Sequence, residues 1–252
     1  PYAEHQGPIF SALQSSTRAI VSIEGGSHCQ FNEYNLTCEL GESGCTDPTI
    51  SREEQFNHVI QLTVPFLDYH LQEDLSAWAS FRQTLNTTVG LDYAMDTDIP
   101  SVLIDVRADD EPIWLGPTGG NILYELEVVN TVGIELTGGF WTAVRLPNNL
   151  LLGPLFYEAL TLGPYESTGP EWRNQDFPGP APGGMYRFIF YLGEFPTTVY
   201  DSDRLIIIKE TPLGGHVWSD SQFGTIMSGE SDAITYRPVE FTVSPAWPNP
   251  FN

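Results

Sequence analysis

Met185-Tyr186-Arg187-Phe188-Ile189-Phe190-Tyr191-Leu192 is the stretch on which the fold turns. Aromatic and β-branched residues fill it and glycines bound it, which is the signature of a strand. Its aromatic content could be read as a carbohydrate platform. Its alternation is more simply that of a central strand buried on both sides. Working outward, Ile122 to Val129, Phe140 to Leu146, Leu155 to Leu162 and Arg204 to Lys209 are strand-like too, each bounded by Gly, Pro or Asn. Strands spaced this way without intervening helices predict an antiparallel β-sandwich. In the first of them Tyr124, Leu126 and Val128 face one way and Glu125 and Glu127 the other. Asp176 to Gly184 is too rich in proline to pair in a sheet and is expected as an exposed connection.

Before residue 86 the pattern differs. Arg18 to Glu24 is a short β-branched run closed by Gly25-Gly26, the form of a buried strand in an α/β sheet. Ser51 with Glu54 three residues on is a capping box. Behind it Phe56, Val59, Ile60, Thr63 and Leu67 recur at helical spacing, and Pro65 predicts a kink or two pieces. A second helix is expected over Asp74 to Leu85.

Composition narrows the function classes. Acidic residues outnumber basic ones 33 to 10, for a net charge of -23, and no basic cluster stands out along the chain. Nucleic acid is therefore not expected as a partner. No run of eighteen apolar residues occurs, so no membrane insertion is expected. The hydrophobic content of 41% suffices for real cores. No cofactor is expected.

The three cysteines, Cys29, Cys38 and Cys45, lie close together in a loop-like stretch. They are disulfide candidates, with the pairing open and one thiol left over, which suits an oxidising compartment. A zinc site would need His28 beside all three, without a paired C-x-x-C knuckle. No metal is expected there. Asp92, Asp96, Asp98, Asp105, Asp109 and Asp110 lack EF-hand spacing and read as solvated acidic positions rather than calcium ligands. His58 and His70 stand too far apart to face one another, and His5 and His216 are isolated. Asn35 and Asn86 head N-x-T sequons.

The strand Ile20 to Glu24 followed by Gly25-Gly26-Ser27-His28 resembles the end of the last strand of an α/β-hydrolase, dienelactone-hydrolase-like in character. Phe66 to Leu71 resembles the closing helix of that fold. The resemblance implies that His28 is the catalytic base of a serine esterase, its nucleophile and acid lying upstream of residue 1. No G-x-S-x-G elbow occurs in the chain, so the segment as given is not expected to be a complete enzyme.

Residues 111–211 resemble an immunoglobulin-like module, carried by Val128-Val129-Asn130, Trp141, Gly153-Pro154 and Ala181 to Tyr186. Ser244-Pro245-Ala246-Trp247-Pro248-Asn249-Pro250-Phe251-Asn252 resembles the start of a type IX secretion sorting domain, which implies the type IX secretion machinery as a partner and an extracellular or cell-surface location. The expected organisation is a hydrolase-like end at 1–85, a connection at 86–110, the sandwich at 111–211, an additional β segment at 212–243 and the sorting-domain start at 244–252. The expected fold class is mainly β, an immunoglobulin-like antiparallel sandwich preceded by the last strand and helices of an α/β-hydrolase. The expected function is the C-terminal portion of an exported bacterial serine hydrolase. The alternative is an extracellular structural protein, a filament or surface-layer subunit using the hydrolase remnant as scaffold, its exposed β edges suited to self-association.

Overall fold

A computed structural model describes residues 6–31, 36–41 and 47–211. It divides into two compact units. The first unit contains α1 (Gly7–Ala12), β1 (Thr17–Ile23), a 3-10 turn (His28–Phe31), α2 (Leu36–Gly41), α3 (Arg52–Gln72), α4 (Leu75–Thr87) and β2 (Leu91–Thr97), with the segments Val128–Leu136 and Thr161–Gly169.

Both long helices start on side-chain caps. The Ser51 hydroxyl accepts from the Glu54 N–H at 3.1 Å, and the Asp74 carboxylate accepts from the Ala77 N–H at 3.1 Å. A single helix runs through Pro65 rather than two pieces. Leu62 before the proline and Phe66 and Tyr69 after it meet the same cluster around Trp78, Phe81 and Leu85, so packing carries the helix across the missing hydrogen bond. Ala19 and Val21 of β1 and Leu91, Tyr93 and Met95 of β2 close that cluster.

β1 pairs antiparallel with β2 from Thr17↔Thr97 to Ile23↔Leu91, in a sheet of two strands. The Thr17 and Thr97 hydroxyls meet at 3.0 Å, and Arg18 reaches Asp96 at 2.8 Å. This overturns the α/β-hydrolase reading: the strand expected to finish a parallel sheet is half of an antiparallel pair, and the helices after it cover that pair.

The second unit is Ile104–Glu127, Thr137–Leu160 and the described residues from Pro170 onward. Its strands belong to β3 (Val102–Arg107), β4 (Ile113–Leu115), β5 (Gly119–Asn130), β6 (Leu136–Arg145), β7 (Leu151–Leu162), β8 (Glu171–Pro178), β9 (Gly184–Glu194) and β10 (Thr198–Lys209). They form a five-stranded sheet in the order β4-β10-β9-β6-β7 and a three-stranded sheet in the order β3-β5-β8. The pairs β9/β10, β6/β9 and β5/β8 are antiparallel, and β4 runs parallel to β10. The chain is thus mainly β. The composite of hydrolase end plus separate immunoglobulin-like module is corrected: β3, from before residue 111, completes one sheet, and 128–136 and 161–169 cluster with the helical unit. The additional β segment (212–243) and the sorting-domain start (244–252) lie outside the described residues.

β9 organises this unit. Tyr186, Phe188, Phe190 and Leu192 are buried, whereas Arg187, Ile189 and Tyr191 are only half-buried. The strand is therefore fully covered on one face, not on both. Inside, Tyr124 of β5 meets Phe190 and Phe188 edge-on, with centroids 5.0 and 6.1 Å apart, joining the two sheets. Burial pushes the Tyr124 hydroxyl up to about 12, with the Arg173 charge opposing.

Carboxylates tie β3 to β10. Asp201 accepts from the Ile104 N–H at 2.9 Å and Asp203 from the Val106 N–H at 2.8 Å, while Glu111 accepts from the Ile206 N–H at 3.1 Å. Two aspartates at i and i+2 thus satisfy two backbone donors that a neighbouring strand would otherwise take. Burial raises both aspartate pKa values, and the accepted N–H groups pull them back only in part.

Asp203→Ala strands the Val106 and Arg204 N–H groups and is expected to lower stability by about 1–3 kcal/mol. Asp203→Asn keeps one acceptor for two donors and is expected to fall between wild type and Asp203→Ala in urea unfolding at neutral pH. The raised folded pKa sets the sign of the pH effect. The stability contributed by these carboxylates is present below their unfolded pKa and is lost as pH rises through the folded value. The gain in urea midpoint on acidification is therefore expected to shrink in the Asp201→Asn/Asp203→Asn double variant.

Candidate functional site

The outer face of the five-stranded sheet is built in rows. Register places Trp141 beside Tyr191 and Tyr191 beside Ser202. The next row is Ala143, Ile189 and Arg204, and the next is Arg145, Arg187 and Ile206. Arg145, Arg187, Ile189, Tyr191, Ser202, Asp203 and Arg204 line a depression of about 450 Å³. Ile189 is the apolar floor, with two arginines on one side, Arg204 and Ser202 on another, and Tyr191 on the third.

Aromatic rings continue from this dish toward β7. Trp141 stacks on Tyr191 at 5.5 Å with the planes 21° apart, and its edge contacts Phe195 at 5.4 Å. Phe195 in turn meets Tyr157 at 5.4 Å. Tyr157 lies over Gly139, where a Cβ would come within 2.5 Å of its ring, so glycine is required for that close approach.

Three of the chain's ten basic residues meet in this dish. Arg145 and Arg187 stand directly opposite one another, an arrangement that is destabilising for like charges. Among the described residues none of the three makes an ion pair; Arg145 donates to the Asn149 carbonyl at 3.1 Å. Asp203, the carboxylate at the dish, is engaged by the Val106 and Arg204 N–H groups. Burial raises the Tyr191 hydroxyl pKa, and the nearby Arg145 charge draws it partly back. The Arg204 charge acts on Asp203, the carboxylate lining the dish, while Arg145 and Arg187 stand opposed. Forked guanidinium donors in excess over carboxylate, beside an apolar floor, suit a carboxylate, sulfate or phosphate group on a small ligand.

The residues singled out in the sequence lie elsewhere. His28 is exposed at the head of the 3-10 turn, and among the described residues no carboxylate comes within ion-pair distance of it. The Gly-Gly-Ser-His stretch has a packing origin. Gly25 adopts φ 74°, and a Cβ on Gly26 would come 2.6 Å from the Gln55 Oε1. The buried Gln55 side chain clamps the Ser27 peptide, accepting from its N–H at 2.8 Å and donating to its carbonyl at 3.0 Å. Cys29 and Cys38 form a disulfide with Cα atoms 5.6 Å apart. Cys45, His5 and His216 lie outside the described residues. His70 packs against Phe66 at 4.4 Å and near Trp78 at 6.1 Å. Among the described residues no group of His, Cys, Asp or Glu is arranged to hold a metal.

The arginine dish was missed because its members are far apart in sequence. The signal was present in strand parity: Arg187 alternates with Phe188 and Phe190, and Arg204 with Leu205 and Ile207.

No protein family matches the chain, and no curated protein matches it. Among solved structures it is similar to a β-glucuronidase of Bacteroides uniformis, at 12% identity and a TM-score of 0.35 over 47% of this chain and 15% of that one. It is also similar to a β-glucosidase of Listeria innocua, at 12% identity and 0.31 over 44% and 16%. A third is a cycloisomaltooligosaccharide glucanotransferase of Paenibacillus sp., at 18% identity and 0.29 over 43% and 14%. The chain spans about one sixth of the length of these proteins. The serine-hydrolase function is corrected: β1, expected as the last strand of a hydrolase sheet ahead of a catalytic His28, is instead half of a two-stranded antiparallel pair with β2. The filament or surface-layer alternative loses the hydrolase remnant that it took as its scaffold.

Removing one arginine of the opposed pair is expected to relieve repulsion. Arg187→Gln should raise unfolding stability by a few tenths to about 1 kcal/mol in low salt, with the difference shrinking in high salt. Urea unfolding at two ionic strengths measures both.

Proposed function

We propose that this chain is a ligand-binding part of an exported protein, and that the dish of Arg145, Arg187 and Arg204 takes a single anionic group. The observation that carries this reading is the gathering of three arginines around one carboxylate, Asp203, in a chain with net charge -23, with Arg145 and Arg187 directly opposed. The opposed Arg145 and Arg187 repel one another in the fold, and a bound anion would turn that repulsion into attraction. Export is supported by the Cys29–Cys38 disulfide, since such bonds persist in oxidising compartments. The same chemistry supports an extracellular or cell-surface location. No helix among the described residues is long and apolar enough to cross a membrane.

Inorganic sulfate is the simplest probe. It is expected to raise the thermal midpoint of the full chain in a saturable way, following the linkage between ligand concentration and stability. The Arg145→Gln/Arg187→Gln/Arg204→Gln variant should lose that response, whereas Arg52→Gln, on α3, should keep it. A rise of equal size in the triple variant, or no rise beyond that in chloride at matched ionic strength, would overturn the reading.

A further inference from the structure

We infer that the ligand is a saccharide bearing a carboxylate, a uronate-type sugar, with its ring against Tyr191 and its carboxylate on Arg145 and Arg187. The inference rests on the anion-binding reading and adds the chemistry of what carries the anion.

The row Trp141–Tyr191–Ser202 supplies the first argument. Trp141 covers one face of the Tyr191 ring at 5.5 Å. The cross-strand neighbour on the other side is Ser202, a short hydroxyl that also lines the dish. No large cross-strand side chain therefore fills the position facing the second side of this ring. An aromatic face open on one side receives the C–H face of a pyranose, and the hydroxyl beside it can exchange hydrogen bonds with the sugar's hydroxyls.

Spacing supplies the second. Arg145 and Arg187 are directly opposed on neighbouring strands, so their forks can converge on one planar carboxylate. Arg204 is opposite Ile189, one row away, diagonal to Arg187 at roughly 7–8 Å by sheet geometry. Arg204 thus stands across the apolar floor, where it would meet the hydroxyl side of a ring whose carboxylate sits on the other pair. A cavity of about 450 Å³ lies within the range of small-ligand sites, roughly 300–1,000 Å³.

Net charge supplies the third. A chain of charge -23 repels a dense polyanion, and screening confines the attraction of the dish to about one Debye length, roughly 8–10 Å. A nucleic acid or heavily sulfated glycan brings many charges into that repulsive field. A uronate brings one per ring.

The test is calorimetric titration of the full chain with trigalacturonate, the neutral galactose trisaccharide, triglutamate and inorganic sulfate. Trigalacturonate is expected to bind at least about tenfold more tightly than triglutamate or sulfate, and the neutral sugar at least about tenfold more weakly than trigalacturonate. Ser202→Leu, which places a branched side chain beside the open Tyr191 face, is expected to weaken trigalacturonate about tenfold more than it weakens sulfate. If sulfate binds while trigalacturonate is no tighter than triglutamate, the saccharide inference fails and the anion reading stands. If Ser202→Leu weakens both equally, the ring seat on Tyr191 is overturned. If no probe binds, both readings fall together.

Discussion

The register of β9 against β6 and β10 is the constraint on which the β unit depends. Tyr186, Phe188 and Phe190 point into the sandwich only because Val144, Thr142, Leu205 and Ile207 lie opposite them in the same phase. A slip of one residue would send these rings to solvent and bury Arg187. Core and candidate site are therefore two faces of one alignment. The aromatic contacts of Tyr124 with Phe188 and Phe190 hold the inner face, and in doing so they present Arg187, Ile189 and Tyr191 on the outer one.

β10 shows the same economy of parity. Its odd positions supply Leu205 and Ile207 to the core and, nearer its start, Asp201 and Asp203 to the donors of β3. Its even positions supply Ser202 and Arg204 to the dish. The transition from carboxylates to aliphatic residues along one face lets the strand satisfy backbone donors at one end and exclude water at the other. Each half-buried carboxylate bears a desolvation cost, offset in part by two backbone hydrogen bonds: Asp203 receives the N–H groups of Val106 and Arg204, and Asp201 those of Ile104 and Ser202.

Much of this was legible in the sequence because local rules act on local patterns. The cap at Ser51, the capping Asp74 and the alternation of Tyr124 with Glu125 each depend on residues within a few positions of one another. Partner choice does not. A run such as Ala19-Ile20-Val21 is β-branched in parallel and antiparallel sheets alike, so it could not reveal that its neighbour is β2 seventy residues later. Gly25-Gly26 read as a catalytic loop because the need for glycine is the same whether a substrate or the Gln55 side chain approaches the backbone. The arginines escaped notice for a related reason. A basic cluster was sought along the chain, whereas Arg145, Arg187 and Arg204 become neighbours only once three strands are aligned.

The electrostatics of the dish bear on why such a cluster persists in so acidic a chain. Arg173 shows the ordinary arrangement, held by Glu158 at 3.4 Å and Glu171 at 2.9 Å. With 33 acidic residues available, partners for Arg145, Arg187 and Arg204 would be easy to supply from neighbouring strand positions. Instead the one carboxylate lining the dish is Asp203, and the rest of their surroundings are Ala143, Ile189, Ile206, Tyr191 and Ser202. An apolar floor beneath guanidinium groups lowers the local dielectric response and strengthens their attraction to an anion, while the lone carboxylate of Asp203 leaves two positive charges uncompensated. A sheet face so arranged is costly to folding and well suited to binding, which is the usual balance at a functional surface.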